Sequence, residues 1–182
     1  MRVLTISGSL RPDSYNVLLL RAVEEQAPAD LELAAFEGLA DIPHFHGDRQ
    51  DPGPTPEAVQ RLRSEIEAAD AVLIATPEYN GSIPGTLKNA LDWVSVPFPD
   101  NAIKGKPVAV IGASTGGYGG MWAQAELRKV LGIMGARVIP ADFSLAHAQQ
   151  QFDEHGALRA NQAGRLALAV EQLLAEAQPL AA

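Results

Sequence analysis

Short apolar runs recur along the chain at intervals of roughly 30 to 40 residues, a spacing typical of strand–helix units. Runs of β type occupy 3–6, 31–36, 71–75, 108–112 and 137–139. The first, third and fourth are apolar nearly throughout, as strands covered on both faces are. Between them the apolar positions follow a helical period, which predicts helices over 14–27, from Pro56 to Ala69, over 87–94, 119–133 and 157–175. The second of these opens on Thr55-Pro56-Glu57, with an N-cap residue, a proline at the first helical position and an acidic first turn. Val59, Leu62, Ile66 and Ala69 then form one apolar stripe. Strand and helix alternating in this way imply a parallel sheet with right-handed crossovers and helices on both faces. In such an open α/β sheet a ligand sits beyond the carboxyl ends of the strands, where the winding reverses. The loops after the first, third and fourth runs are therefore expected to converge.

The first loop reads Gly8-Ser9-Leu10-Arg11-Pro12-Asp13-Ser14-Tyr15-Asn16 and opens a helix. A helix N-terminus offers free N–H groups and the positive end of the macrodipole to an anion. Ser9, Ser14 and Asn16 can add neutral hydrogen bonds and Arg11 a charge-assisted one, so a phosphate monoester is the expected ligand. The plainer reading is a turn with Ser14 as N-cap and Arg11 solvated. The loop is not a dinucleotide G-x-G-x-x-G, the chain has no Gly-Lys-Ser/Thr nucleotide loop, and no cysteine is present to act as a phosphatase nucleophile.

The second loop, Thr76-Pro77-Glu78-Tyr79-Asn80-Gly81-Ser82-Ile83-Pro84-Gly85, carries an Asn-Gly turn signal between two prolines. A loop this stiff, with exposable backbone groups, suits a flat heterocycle; a proline-punctuated connector is the alternative. The helix after it ends in Ser95-Val96-Pro97-Phe98-Pro99, an apolar surface segment suited either to a partner subunit or to a lid on the same chain. The third loop, Ala113-Ser114-Thr115-Gly116-Gly117-Tyr118-Gly119-Gly120, allows close backbone approach to a ligand.

With 182 residues, 47% hydrophobic and 20% charged, the expectation is one domain spanning 1–182. A net charge of -8 argues against nucleic-acid or anionic-membrane partners. No apolar run approaches the roughly 18 residues of a membrane span, and no leader pattern opens the chain, which makes a cytoplasmic location the expectation. The absence of cysteine excludes disulfides and thiolate chemistry. The long connection at 38–54 contains Pro43, Gly47, Pro52, Gly53 and Pro54, and is of a length usually functional or mobile. His44 and His46 within it lack a clear third ligand, with Asp41 and Asp48 read as solvated charges, so no metal site is assigned. His147 and His155 read as surface residues, and the tail at 176–182 is expected to fray.

Taken together, the three loops resemble those of the NADPH-dependent FMN reductase family, which has a flavodoxin-like fold and includes quinone, chromate and azo-dye reductases. Gly8-Ser9-Leu10-Arg11 with Ser14 and Asn16 looks like its FMN-phosphate loop. The run from Pro77-Glu78-Tyr79-Asn80-Gly81 through Leu87-Lys88-Asn89-Ala90 to Asp92-Trp93 is similar to its most distinctive motif, and Gly112-Ala113-Ser114 with Gly116, Gly119 and Gly120 to its third. The histidine-rich stretch Pro43-His44-Phe45-His46 departs from it and bears on substrate preference. The resemblance implies a three-layer α/β/α sandwich with a five-stranded parallel sheet in the order 2-1-3-4-5. It implies FMN as cofactor and NADPH or NADH as donor. Ser9, Arg11, Ser14 and Asn16 would hold the phosphate, Pro77, Glu78, Tyr79, Asn80 and Gly81 would line the ring, and Ser114 with Gly117 would close its other edge. The implied reaction is ping-pong: hydride passes to flavin N5, then electrons pass to a small acceptor, with no catalytic side chain. A homodimer or homotetramer is implied as well. The alternatives are an electron carrier of flavodoxin type and a flavin-binding interaction or sensor protein.

Overall fold

The computed structural model describes residues 1–46 and 55–178. Gly47, Asp48, Pro52, Gly53 and Pro54 of the long connection, and the last residues of the tail, lie outside the described residues. Strands β1 (Arg2–Ser7), β2 (Glu32–Phe36), β3 (Ala71–Ala75), β4 (Pro107–Ala113), β5 (Arg137–Val138) and β6 (Phe143–Leu145) alternate with helices α1 (Tyr15–Gln26), α2 (Glu57–Ala68), α3 (Gly85–Val94), α4 (Met121–Ile133) and α5 (Ala160–Ala177). All strand pairs are parallel, in the order β2-β1-β3-β4-β5, with β6 also on β4. This is the flavodoxin-like order expected.

The strand period divides the apolar side chains between two cores. Leu4, Ile6, Val72, Ile74, Val108 and Val110 face α2, α3 and α4. Val3, Leu73, Ala109 and Ile111 face α1 and α5. Every residue of β3 and β4 is buried, which explains why both read as unbroken apolar runs. The predicted stripe of α2 packs inward through Val59, Leu62 and Ile66. Leu127 and Leu131 of α4 are fully buried, and each such side chain contributes about 1.5–3 kcal/mol by leaving water.

Two departures from the sequence pattern have local causes. The fifth strand position is not one strand at 137–139 but two short segments. Ile139 N–H still donates to Val108 O at 2.8 Å, but Pro140 has no N–H to continue the ladder, which resumes at Phe143 opposite Ile111. Arg128 fills the gap: its guanidinium donates to Val110 O at 3.0 Å and Ala141 O at 3.2 Å, and pairs with Asp142 at 3.0 Å. Burial pushes its pKa down, and Asp142 opposes that shift.

The last helix begins at Ala160 rather than 157, because residues 152–158 form a capped turn. Asp153 Oδ1 accepts from His155 N and Ala157 N, each at 2.9 Å, while Phe152 bridges Leu158. Phe152 thereby stacks on Tyr15 of α1 at 5.7 Å. Helix α2 begins one residue later than predicted, with Pro56 rather than Thr55 at the N-cap.

Candidate functional site

The first loop leaves β1 at Gly8, whose N–H donates to Ala75 O at 2.8 Å. A Cβ at Gly8 would stand 3.1 Å from Leu87 and 3.2 Å from Pro77, so a side chain here would press on α3 and the start of the second loop. Beyond it the chain is held by its own hydroxyls. Ser7 Oγ donates to Ser9 O and accepts from Ser9 N–H, both at 3.2 Å, and Ser9 Oγ accepts from Arg11 N–H at 3.2 Å. Ser14 is the N-cap of α1, its Oγ accepting from Asn16 N–H at 3.2 Å. The first-turn N–H groups of Tyr15 and Val17 have no acceptor among the described residues. Arg11 is exposed and joins no ion pair among the described residues.

Asn16 is spent elsewhere. Its Nδ2 donates to Ala113 O at 3.1 Å and its Oδ1 accepts from Ala113 N–H at 2.9 Å. The side chain of a residue expected to contact phosphate thus joins the start of α1 to the end of β4.

In the second loop Asn80 and Gly81 both have positive φ, 55° and 75°, and Tyr79 and Ser82 exchange backbone hydrogen bonds at 3.0 and 3.1 Å. This is the tight turn the Asn-Gly pair predicts. Glu78 turns its carboxylate away from the turn tip: Oε2 accepts from Trp122 N–H at 3.0 Å and Ala123 N–H at 3.2 Å. The residues preceding α4, Gly119 and Gly120, carry no capping side chain, and Glu78 supplies the cap from 44 residues away.

The third loop is tied to the segment after β6. Ser114 N–H donates to Leu145 O, His147 N–H to Gly116 O and Ala148 N–H to Ser114 O, all at 3.0 Å. His147 and His155 are exposed, as expected, but the backbone of His147 buttresses this loop. Within the loop, Ser114 Oγ accepts from Gly116 N–H at 3.1 Å.

The loops meet around a cleft of about 360 Å³, lined by Ser9, Arg11, Ser14, Tyr15, Asn16, Pro77, Glu78, Tyr79, Ala113, Ser114 and Thr115. Arg11 is the cation among them. Asn80, Gly81 and Gly117 are exposed and lie outside the lining. A larger cleft of about 510 Å³ runs along α1 and the end of β2 and shares Ser9 and Arg11, but neither the second nor the third loop reaches it. Of these two clefts among the described residues, the smaller combines an anion-binding helix start with stiff backbone from two further loops.

Three supports escaped the sequence reading. Asn89 Oδ1 accepts from Phe45 N–H at 2.8 Å and its Nδ2 donates to Pro43 O at 3.0 Å, while Trp93 Nε1 donates to the same carbonyl at 2.7 Å. These two residues of the second motif therefore anchor the stretch bearing exposed His44 and His46 onto α3. Gln124, fully buried, donates to Gly119 O at 3.2 Å and Ser144 Oγ at 2.9 Å. A lone amide in an apolar helix stripe was the one signal available for it. The third support is the Leu145–Ala148 backbone, which left no mark in composition.

The model of the NADPH-dependent FMN reductase family matches residues 1–150. The chain is 42% identical over 139 residues to a quinone reductase of Escherichia coli, covering 76% of this chain and 73% of that protein. It is 42% identical over 169 residues to an NAD(P)H-dependent FMN reductase of Pseudomonas aeruginosa, covering 91% and 89%. Among solved structures, the flavoenzyme NAD(P)H:acceptor oxidoreductase of Paracoccus denitrificans superposes with a TM-score of 0.80 at 35% identity, over 96% of this chain and 98% of that one.

Proposed function

The chain belongs to the NADPH-dependent FMN reductase family, and from that premise we propose that the cleft beyond β1, β3 and β4 holds FMN and reduces quinone-type acceptors. The protein is an oxidoreductase whose cofactors are FMN and a nicotinamide donor, NADPH or NADH. One observation carries the placement. Arg11, the lining cation, stands unpaired among the described residues beside the open N-terminus of α1, where a phosphate monoester is best held.

Ser9 and Ser14 join Arg11 on the phosphate, and Asn16 acts behind them by holding Ala113. Pro77, the Glu78 backbone, Tyr79, Asn80 and Gly81 border the ring on one side, and Ser114 with Gly117 on the other. FMN held there would supply hydride chemistry at N5 between a nicotinamide donor and an acceptor, in separate half-reactions. The side chains orient the reactants and exclude water, and none is assigned as acid, base or nucleophile. The name of the Escherichia coli relative favours a quinone as acceptor, with azo compounds, chromate and free flavin as further members of the class to be tested.

The proposal extends to one FMN-binding domain over 1–182, a cytoplasmic location, and assembly as a homodimer or homotetramer. Val96 and Phe98 are 42% and 72% exposed, which favours a partner subunit over a lid folded onto the same chain. No helix among the described residues is long and apolar enough to cross a membrane. The test is anaerobic mixing of the FMN-loaded protein with NADPH or NADH, followed by a quinone. Bleaching of the flavin and recovery on adding quinone is expected. Flavin that stays oxidised would favour a carrier or sensor, and failure to bind FMN would remove the assignment.

A further inference from the structure

The larger cleft, about 510 Å³, opens beside the candidate flavin cleft and shares with it Ser9 and Arg11, the phosphate end. It exists because side chains shrink along one face of the sheet. Val3 and Leu33, partners in register, pack in the core under α1 and α5. The next pair on that face is Thr5 and Ala35, too small to fill the space between α1 and the edge strand β2. Val17, Arg21 and Glu24 line the cleft from one face of α1, and Glu37 lines it just after β2.

Its polar groups are unspent. Arg11 and Arg21 are exposed and make no ion pair among the described residues, and neither do Glu24 and Glu37. Ser9 is 8% exposed; its Oγ accepts from Arg11 N–H at 3.2 Å, and its hydroxyl proton has no acceptor among the described residues. The Thr5 hydroxyl, 1% exposed, reaches Ala34 O at 3.5 Å, a weak bond.

We propose that this second cleft is an adenylate subsite, taking the adenosine 5′-phosphate group of a dinucleotide. The proposal rests on the FMN phosphate lying at Arg11. Arg21 then gives the cleft a cation that the flavin cleft does not use, suited to a second phosphate. Glu37 stands after the second strand, where a carboxylate accepts from the ribose diol in nucleotide-binding α/β folds. Leu10, Val17 and Leu39 offer apolar contact to a flat base, and the volume falls within the roughly 300–1,000 Å³ of small-molecule sites. A bare anion would be repelled by both carboxylates, and a neutral ring would leave both arginines unused. Two molecules carry the adenylate group, FAD and NAD(P)H. The shared phosphate end favours FAD, whose second phosphate continues from the first at that point.

The experiment titrates the FMN-loaded full chain with AMP by calorimetry, in wild type, Arg21→Ala and Arg21→Lys. AMP is expected to bind without releasing FMN, and inorganic phosphate to bind about tenfold more weakly or less. Arg21→Ala should raise the AMP Kd by about tenfold or more, the scale of a charged hydrogen bond. Arg21→Lys should recover part of that loss, with FMN content and Tm unchanged in both variants. Absence of AMP binding would overturn the proposal, as would an AMP Kd indifferent to Arg21→Ala, release of FMN by AMP, or phosphate binding as tightly as AMP. Two further arms identify the source of the group. FAD displacing FMN from the loaded chain, with an advantage that Arg21→Ala removes, assigns the subsite to FAD. A higher NAD(P)H KM in Arg21→Ala, with the limiting rate of flavin bleaching unchanged and no preference for FAD, assigns it to the donor. A chain that fails to take up FMN overturns the flavin placement and is seen before AMP is added, whereas a chain that holds FMN and ignores AMP overturns the subsite alone.

Discussion

Asn16 and Ala113 hold each other in both directions, amide to carbonyl at 3.1 Å and N–H to amide oxygen at 2.9 Å, across 97 residues of chain. The contact locks the helix that presents the first loop onto the strand that presents the third. Asn16 is nearly fully buried, so Asn16→Ala leaves two backbone groups unsatisfied at about 1–3 kcal/mol each. Denaturant unfolding should show that loss, and FMN affinity should fall with it, because the cleft loses its alignment.

Arg11 stands in contrast, making no ion pair among the described residues. Arg11→Ala should leave stability within about 0.5 kcal/mol of wild type. It should raise the Kd for FMN by roughly 10- to 100-fold, the scale of a charged hydrogen bond. Excess FMN should restore turnover. Full FMN retention in this variant would show that the phosphate is held elsewhere.

Glu78 caps α4 from a distant loop. Glu78→Ala should cost about 1 kcal/mol, the usual value of an N-cap. Glu78→Gln keeps an acceptor oxygen and loses the charge–dipole part, about 0.3–1 kcal/mol. Thermal unfolding of the two variants separates those contributions.

Arg128 completes the sheet where Pro140 interrupts it. Arg128→Met should leave Val110 O and Ala141 O without their donor, a loss of about 1–3 kcal/mol for each buried group. Faster amide exchange should appear in β5 and β6 before it appears in β1 or β3. Uniform exchange across the sheet would show that the guanidinium does not support the split position.

Asp153 carries a pH signature. Backbone N–H donors from Ala157 and His155 hold its carboxyl below the usual carboxylate range. A folded-state pKa below the unfolded one contributes stability above the unfolded value, and that contribution is lost as pH falls through the folded value. The Tm difference between wild type and Asp153→Ala should therefore be largest near neutral pH and should close below about pH 4. A difference that grows on acidification would contradict this account.

The chain's own order of residues determined the layered fold and the three loops of the site. Apolar runs such as Ala71–Ala75 announce a strand buried on both faces, and Asn80-Gly81 dictates its turn because only those residue types hold positive φ cheaply. These signals are local, so periodicity and turn chemistry report them. What tertiary structure alone decided is which distant backbone groups the polar side chains of these loops meet. Asn16 meets Ala113 and Glu78 meets the start of α4, partners that no local pattern announces. Arg128 looks like a surface cation until the strand beside it breaks. A side chain's hydrogen-bond partner lies wherever folding leaves a backbone group unpaired, and neither composition nor period encodes that position.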